Sequence, residues 1–175
     1  MLCIVFSAAQ WNHLREDVLV KKVTIYNVPG HTAIDFIEDG NAWFLADSAL
    51  RNDALTTKFH ILPNRIIGGV AKVSPADTFV RQLEGCTLVV WNGLTILRLH
   101  DEKYRLPEKL AVDYLIVSNN SVKDLAELLV KMELKKVILD SSNVFYRADK
   151  LLLEAQQHRV SIFSVPHSGG FELTI

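Results

Sequence analysis

Apolar and polar positions alternate through the first quarter of the chain. Residues 22–27 are rich in β-branched and aromatic types and read as a strand, which Val28-Pro29-Gly30 breaks. Residues 31–37 alternate and predict a second strand. Asp39-Gly40 is a hairpin signal, and residues 42–46 return from it to end at Asp47. Three successive antiparallel strands are therefore expected. Residues 48–77 carry the weakest pattern: a short helix over 48–55, a loop at 59–63 packed by its apolar residues, and a strand over 70–73 after Gly68-Gly69. A second hairpin is clearer, because residues 87–91 and 94–98 flank Asn92-Gly93, the strongest short hairpin signal.

From Val112 the period switches to β-α-β-α-β. Residues 113–117 run into Ser118-Asn119-Asn120, and residues 136–139 run into Asp140-Ser141-Ser142-Asn143. A capping box of Ser121 and Asp124 precedes one helix, with Leu125, Ala126, Leu128, Leu129 and Met132 on a common face. Residues 145–159 predict the next, with Phe145, Ala148, Leu152 and Ala155 inward. A strand at 160–164, a turn at 167–170 and a strand at 171–175 complete the chain. Hairpins followed by alternating units, with no linker between them, predict one mixed α/β domain over residues 21–175 with helices on its outer faces.

The start of the chain departs from this pattern. Residues 1–11 are apolar and end at Trp11, ahead of the charged Arg15, Glu16 and Asp17. No basic residues precede the apolar run, as a signal peptide requires. Residues 1–20 read either as an element packed on the domain or as a juxtamembrane segment, the tail of a truncated transmembrane helix with Trp11 at the interface. A net charge of −1 supplies no broad basic footprint for nucleic acid. Cys3 and Cys86 follow no zinc or redox spacing and are expected as buried thiols.

Candidate chemistry gathers at the ends of the late strands, where open α/β sheets build their sites. Asn119, Asn120, Asp140, Ser141, Ser142 and Asn143 form the best constellation. Amides and hydroxyls beside helix N-termini can take phosphates or sugar hydroxyls; the competing reading is that Ser121 and Asn143 cap their helices and the others fill turns. Asp140 is the only charge there and no histidine accompanies it, the furnishing of a lost catalytic centre. His31, beside a Pro-Gly turn, is a candidate ligand or base and otherwise a turn cap. His60 reads as a packed core or loop histidine. Asp47 and Asp101 are the pair that one weakly held divalent cation would use; otherwise they satisfy turn N–H groups. Lys135-Lys136 and Arg147 with Lys150 are basic pairs within reach of a DNA backbone, or solvated helix ends. Nothing supports Ser-His-Asp catalysis, since Ser168 lacks a strand-elbow-helix setting.

The order of motifs resembles the C-terminal region of ComEC-type, Bacteroidetes-like competence proteins. The resemblance rests on Tyr26-Asn-Val-Pro-Gly-His-Thr-Ala-Ile-Asp-Phe36, Phe44-Leu-Ala-Asp-Ser48 and Phe59-His-Ile-Leu-Pro63. Leu115-Ile-Val-Ser-Asn-Asn120, Leu139-Asp-Ser-Ser-Asn143 and the run from Ser164-Val-Pro166 to Gly170-Phe171 extend it. It covers the chain from about Lys21 onward. It implies an inner-membrane channel for single-stranded DNA in natural transformation, with residues 1–11 ending its last membrane helix. It also implies a metallo-β-lactamase-like αββα sandwich, reduced and degenerate.

The family's two-metal centre needs a histidine- and aspartate-rich cluster to polarise a phosphodiester and activate water. Around His60 to Val70 this chain has one histidine and no aspartate. Asp101 stands where the bridging aspartate would, without the usual glycine. Asn119-Asn120 replaces a histidine pair, and the late histidine is replaced near Tyr146-Arg147. An amide oxygen binds transition metals weakly beside imidazole. The expectation is a non-catalytic domain without a cofactor, bracing the channel portion of the same longer protein or contacting single-stranded DNA or a partner protein, on the periplasmic side. The alternatives are a metal-dependent phosphodiesterase with a reduced site, favoured if Asp47, Asp101 and Asp140 converge, and a protein-interaction module unrelated to DNA.

Overall fold

The computed structural model describes residues 21–106 and 110–175. The expectations for residues 1–20, Cys3 among them, fall outside the described residues. Two mixed sheets form the frame. The first has the order β11-β1-β2-β3-β4, built from β1 (Lys22–Ile25), β2 (Ala33–Glu38), β3 (Asn41–Ala46), β4 (Lys72–Pro75) and β11 (Phe171–Thr174). The second has the order β10-β9-β8-β7-β6-β5, built from β5 (Val80–Leu83), β6 (Cys86–Trp91), β7 (Leu94–Leu99), β8 (Leu110–Val117), β9 (Met132–Leu139) and β10 (Ile162–Ser164).

β1, β2 and β3 pair antiparallel, as their alternation predicts. Both two-residue turns carry positive φ at both positions, 49° and 71° at Asp39 and Gly40, 47° and 79° at Asn92 and Gly93. That geometry suits the twist of paired strands. β7, β8, β9 and β10 run parallel, so their C-terminal ends share one edge.

Successive side chains on a strand face opposite ways, and the core divides accordingly. Val23, Ile25, Ile34 and Phe36 of the first sheet pack against Val89, Trp91, Ile96, Ile116 and Ile138 of the second. On the far face of the second sheet, Leu97, Leu99, Leu115, Val117, Val137 and Leu139 meet Leu125, Leu128, Ala148, Leu151 and Ala155. Those last five lie on α4 (Leu125–Lys131) and α5 (Phe145–His158). The far face of the first sheet is covered by α1 (Ser48–Arg51), α2 (Ala54–His60) and α3 (Leu62–Ile67), through Leu50 and Ile61 against Tyr26, Ala33 and Ala46. Helices, sheet, sheet and helices thus follow in layers.

A buried ion pair pins this outer layer. Arg65 of α3 donates to both oxygens of Asp35 at 2.7 and 2.8 Å, and Tyr26 donates its hydroxyl to Asp35 at 2.7 Å. Burial and the Asp35 charge both push the Tyr26 phenol above its ordinary pKa.

Several local expectations need correction. The packed loop at 59–63 is helical on both sides of Ile61, and Phe59 and His60 face solvent. The short helix expected over 48–55 is divided between α1, capped by Asp47, and α2, which Asp53 caps and which runs on to His60. β5 is a strand that the alternation does not mark. Asp124, not Ser121, caps α4, and the helix ends at Lys131, so Met132 opens β9. In α5, Leu151 rather than Leu152 is buried, and Phe145 is 60% exposed. Residues 165–168 form a short helix, α6 (Val165–Ser168), that overlaps the start of the turn predicted at 167–170.

Candidate functional site

At the C-terminal edge of β7, β8 and β9 the two sheets are laced together by polar groups. Gly30 donates its N–H to the Ser141 carbonyl at 2.8 Å, and Ser141 donates its hydroxyl to the Asn27 amide oxygen at 2.8 Å. Thr32, just before β2, donates its hydroxyl to Asp140 at 2.6 Å. The polar tips of β8 and β9 therefore meet the β1–β2 connection rather than an open cleft.

Asp140 lies at the centre and is fully buried. One carboxylate oxygen accepts the hydroxyls of Thr32 and Ser118, both at 2.6 Å. The other accepts the Ser142 N–H at 3.0 Å, the Ser142 hydroxyl, and the Asn143 amide at 3.2 Å. Behind the two hydroxyls stands Arg98 of β7, which is 8% exposed. It donates to Ser118 at 2.9 Å and to Thr32 at 3.1 Å. Cation and anion are thus joined through two shared hydroxyls. Burial raises the Asp140 carboxyl above its ordinary range, while the hydrogen bonds from Ser118, Ser142 and Thr32 and the Arg98 charge pull it back. Burial likewise lowers Arg98, against the charges of Asp140 and Asp47.

The amides of the constellation serve the backbone. Asn119 and Asn120 sit at φ 54° and 56°, and the Ser121 N–H closes their turn on the Ser118 carbonyl at 3.0 Å. Asparagine is among the few L-residues that tolerate this region. The Asn119 N–H donates to the Ser142 hydroxyl at 2.7 Å, and the Asn120 N–H to the Asn143 side chain at 2.9 Å. The Val144 N–H returns a bond to Asn120 at 2.9 Å. Ser121 and Asn143 are not helix caps: Ser121 donates to the Leu99 carbonyl at 2.9 Å, and Asn143 to the Val117 carbonyl at 2.7 Å.

The remaining candidates lie apart from this network or at its margin. His31 donates from Nδ1 to Asp47 at 3.1 Å, both side chains about 30% exposed. Asp47 also accepts the N–H groups of Leu50 and Thr32 at 2.9 and 3.0 Å, capping α1. Burial would raise its carboxyl, but these two N–H groups and His31 outweigh it and hold the carboxyl below the ordinary range. Asp101 is exposed and accepts the Lys103 N–H at 2.8 Å, so it shares no partner with Asp47. Among the described residues no group of three His, Cys, Asp or Glu side chains could hold a metal ion.

The structure thus joins Asn119, Asn120, Asp140, Ser142 and Asn143, sets the His31–Asp47 pair beside them through Thr32, and leaves Asp101 out. Sequence reasoning missed Thr32 and Arg98. Arg98 carried a signal: it falls two residues after Ile96, on the face of β7 that otherwise enters the apolar space between the sheets.

A Ser-His-Asp line does occur elsewhere. Ser164 Oγ lies 2.7 Å from His167 Nδ1, and His167 Nε2 lies 2.9 Å from Asp149 of α5. Ser164 is 3% exposed, whereas a nucleophile needs open approach, and the line ties α6 to α5. Comparison with known proteins adds one finding: the family model of the ComEC C-terminal domain matches residues 23–175. No curated protein matches the chain.

Proposed function

The chain belongs to the ComEC C-terminal domain family, and from that premise we propose that it is a non-catalytic part of the DNA-uptake machinery of competence. The family assigns it to a longer ComEC protein, associated with a membrane and active in DNA uptake. On this reading the layered sheets are a reduced metallo-β-lactamase-like sandwich whose metal edge has been closed from within. It braces the channel portion of the same protein, on the periplasmic side, and its rim meets the incoming strand.

One observation carries the reading. Asp140, the only acid in the tips that follow β8 and β9, is fully buried with both oxygens taken by protein donors. A carboxylate in that state offers no lone pair to a metal and none to an attacking water. The test is zinc and manganese analysis of the purified chain together with a single-stranded DNA cleavage assay. Metal-free protein whose residual cleavage ignores chelator is expected. Stoichiometric metal, with cleavage abolished by Asp101→Ala, would overturn the proposal.

Contact with single-stranded DNA is supported by a second feature. Phe145 and Tyr146 open α5 next to Asn143 and are 60% and 68% exposed. The Arg147 guanidinium lies 5.7 Å from the Tyr146 ring, and its buried Nε has no partner among the described residues. Exposed aromatics beside cations stack bases without sequence preference, worth about 1–3 kcal/mol per base. Tyr146→Ala is expected to weaken oligonucleotide binding about tenfold at low salt; unchanged affinity would remove DNA contact from this rim.

A further inference from the structure

The outer helical layer presents its apolar residues the wrong way round. α2 buries none of its residues. Leu55, Phe59, Leu62, Ile66 and Ile67 recur at helical spacing across α2 and α3 and are 65%, 68%, 40%, 67% and 84% exposed. The inward positions of this layer go instead to Leu50, Ile61 and the paired Arg65. Val73, on the neighbouring edge strand β4, is 46% exposed and extends the apolar face. Scattered apolar residues on a surface are ordinary, but a contiguous group of this size marks an interaction surface or a membrane contact.

We propose that the α2–α3 face lies on an anionic lipid bilayer. The charge around it favours that occupant. Arg51 and Lys58 are exposed and line the same surface depression as Leu62. The acid of this stretch, Asp53, is consumed as the α2 cap, accepting from the N–H groups of Leu55 and Thr56 and from the Thr56 hydroxyl. Apolar side chains entering the interface with lysine and arginine reaching toward the headgroups is the signature of a surface-lying amphipathic element. A second copy of the chain fits less well, since two-fold pairing of this face would set the same cations, Arg51 and Lys58, against themselves. The chain also meets this corner as it enters β1. The Lys22 ammonium lies 3.5 Å from where a Cβ on Gly68, just after α3, would stand. The sequence upstream of Lys22 includes the apolar residues 1–11. The inference does not rest on the closed Asp140 edge, and either can fail alone.

Hydrogen–deuterium exchange of the full chain, with and without vesicles of phosphatidylglycerol or of phosphatidylcholine, tests it by location. Phosphatidylglycerol vesicles are expected to slow exchange in residues 54–67, and phosphatidylcholine vesicles to do so less. Phe59→Ser with Ile67→Ser, both exposed and so compatible with the fold, should abolish that protection and weaken vesicle binding about tenfold or more. Val130→Ser, equally exposed on the opposite helical layer, should change neither. Vesicle binding without protection of residues 54–67, or no binding, would overturn the proposal. So would protection already present without lipid, whether it rises with protein concentration (a second copy) or vanishes on deleting residues 1–20 (the chain's own N-terminal segment).

Discussion

Replacing Arg98 with methionine isolates the physics of the closed edge. Methionine fills similar volume but removes the cation, leaving Asp140 fully buried among hydroxyls and amides with no opposing charge donating into its network. Removing one partner of a buried charge pair costs about 3–5 kcal/mol, a large share of the roughly 5–15 kcal/mol that holds a domain together. With a urea slope of about 2 kcal/mol/M, the unfolding midpoint should fall by about 2 M at unchanged slope. The loss should also depend on pH. Burial already raises the Asp140 carboxyl, and Arg98 opposes that rise, so the variant's native carboxyl rises further. A carboxyl raised in the native state binds its proton more tightly there than in the unfolded chain. The variant is therefore least impaired below the ordinary aspartate pKa, and its deficit grows as pH climbs through the raised native value. Asp140→Asn added to Arg98→Met removes the stranded charge and should restore at least about 1 kcal/mol. A deficit under about 1 kcal/mol, a deficit indifferent to pH, or strict additivity in the double variant would refute the argument.

Asp47→Ala should cost about 1 kcal/mol through loss of the α1 cap. Its carboxyl is lowered in the native state, so the stability it lends is present above the ordinary aspartate pKa and disappears as pH falls through the lowered value; urea titrations in the acid range will show it, and an alanine variant as stable as the parent at neutral pH would contradict it. At Asn119, φ 54° predicts that glycine is tolerated while valine loses about 1–2 kcal/mol; equal melting temperatures for the two variants would deny that backbone conformation placed asparagine there. Gly85 has φ 68°, and a Cβ would stand 2.3 Å from the Lys103 carbonyl oxygen. Gly85→Ala should therefore lower stability by more than about 2 kcal/mol or prevent soluble expression, and a well-folded alanine variant would show that the 100–105 connection can retreat.

Much of the frame was legible because it rests on local rules. Asp39-Gly40 and Asn92-Gly93 supply positive-φ turns, and residues 31–37 and 94–98 read as strands, although the structure buries both faces of each. Turn chemistry and periodicity are properties of neighbouring residues, so the sequence states them directly. The polar tips of β8 and β9 were legible for the same reason, as was the absence of histidine from them. Residues 48–67 were legible only at their start, where a short helix is expected: Asp47 and Asp53 cap two helices there, the third is held by the long-range Arg65–Asp35 pair, and the apolar stripe faces outward, against the usual pattern. What became of the tips was also decided in three dimensions. Thr32, Arg98, Ser118 and Asp140 are spread over more than a hundred residues of chain, and nothing in their spacing joins them. Only the stacking of the two sheets brings the hydroxyl of one against the carboxylate of the other, and burial then turns a candidate ligand into a sealed joint. Hydrogen bonding and desolvation depend on what surrounds a group after folding, and no spacing along the chain encodes that.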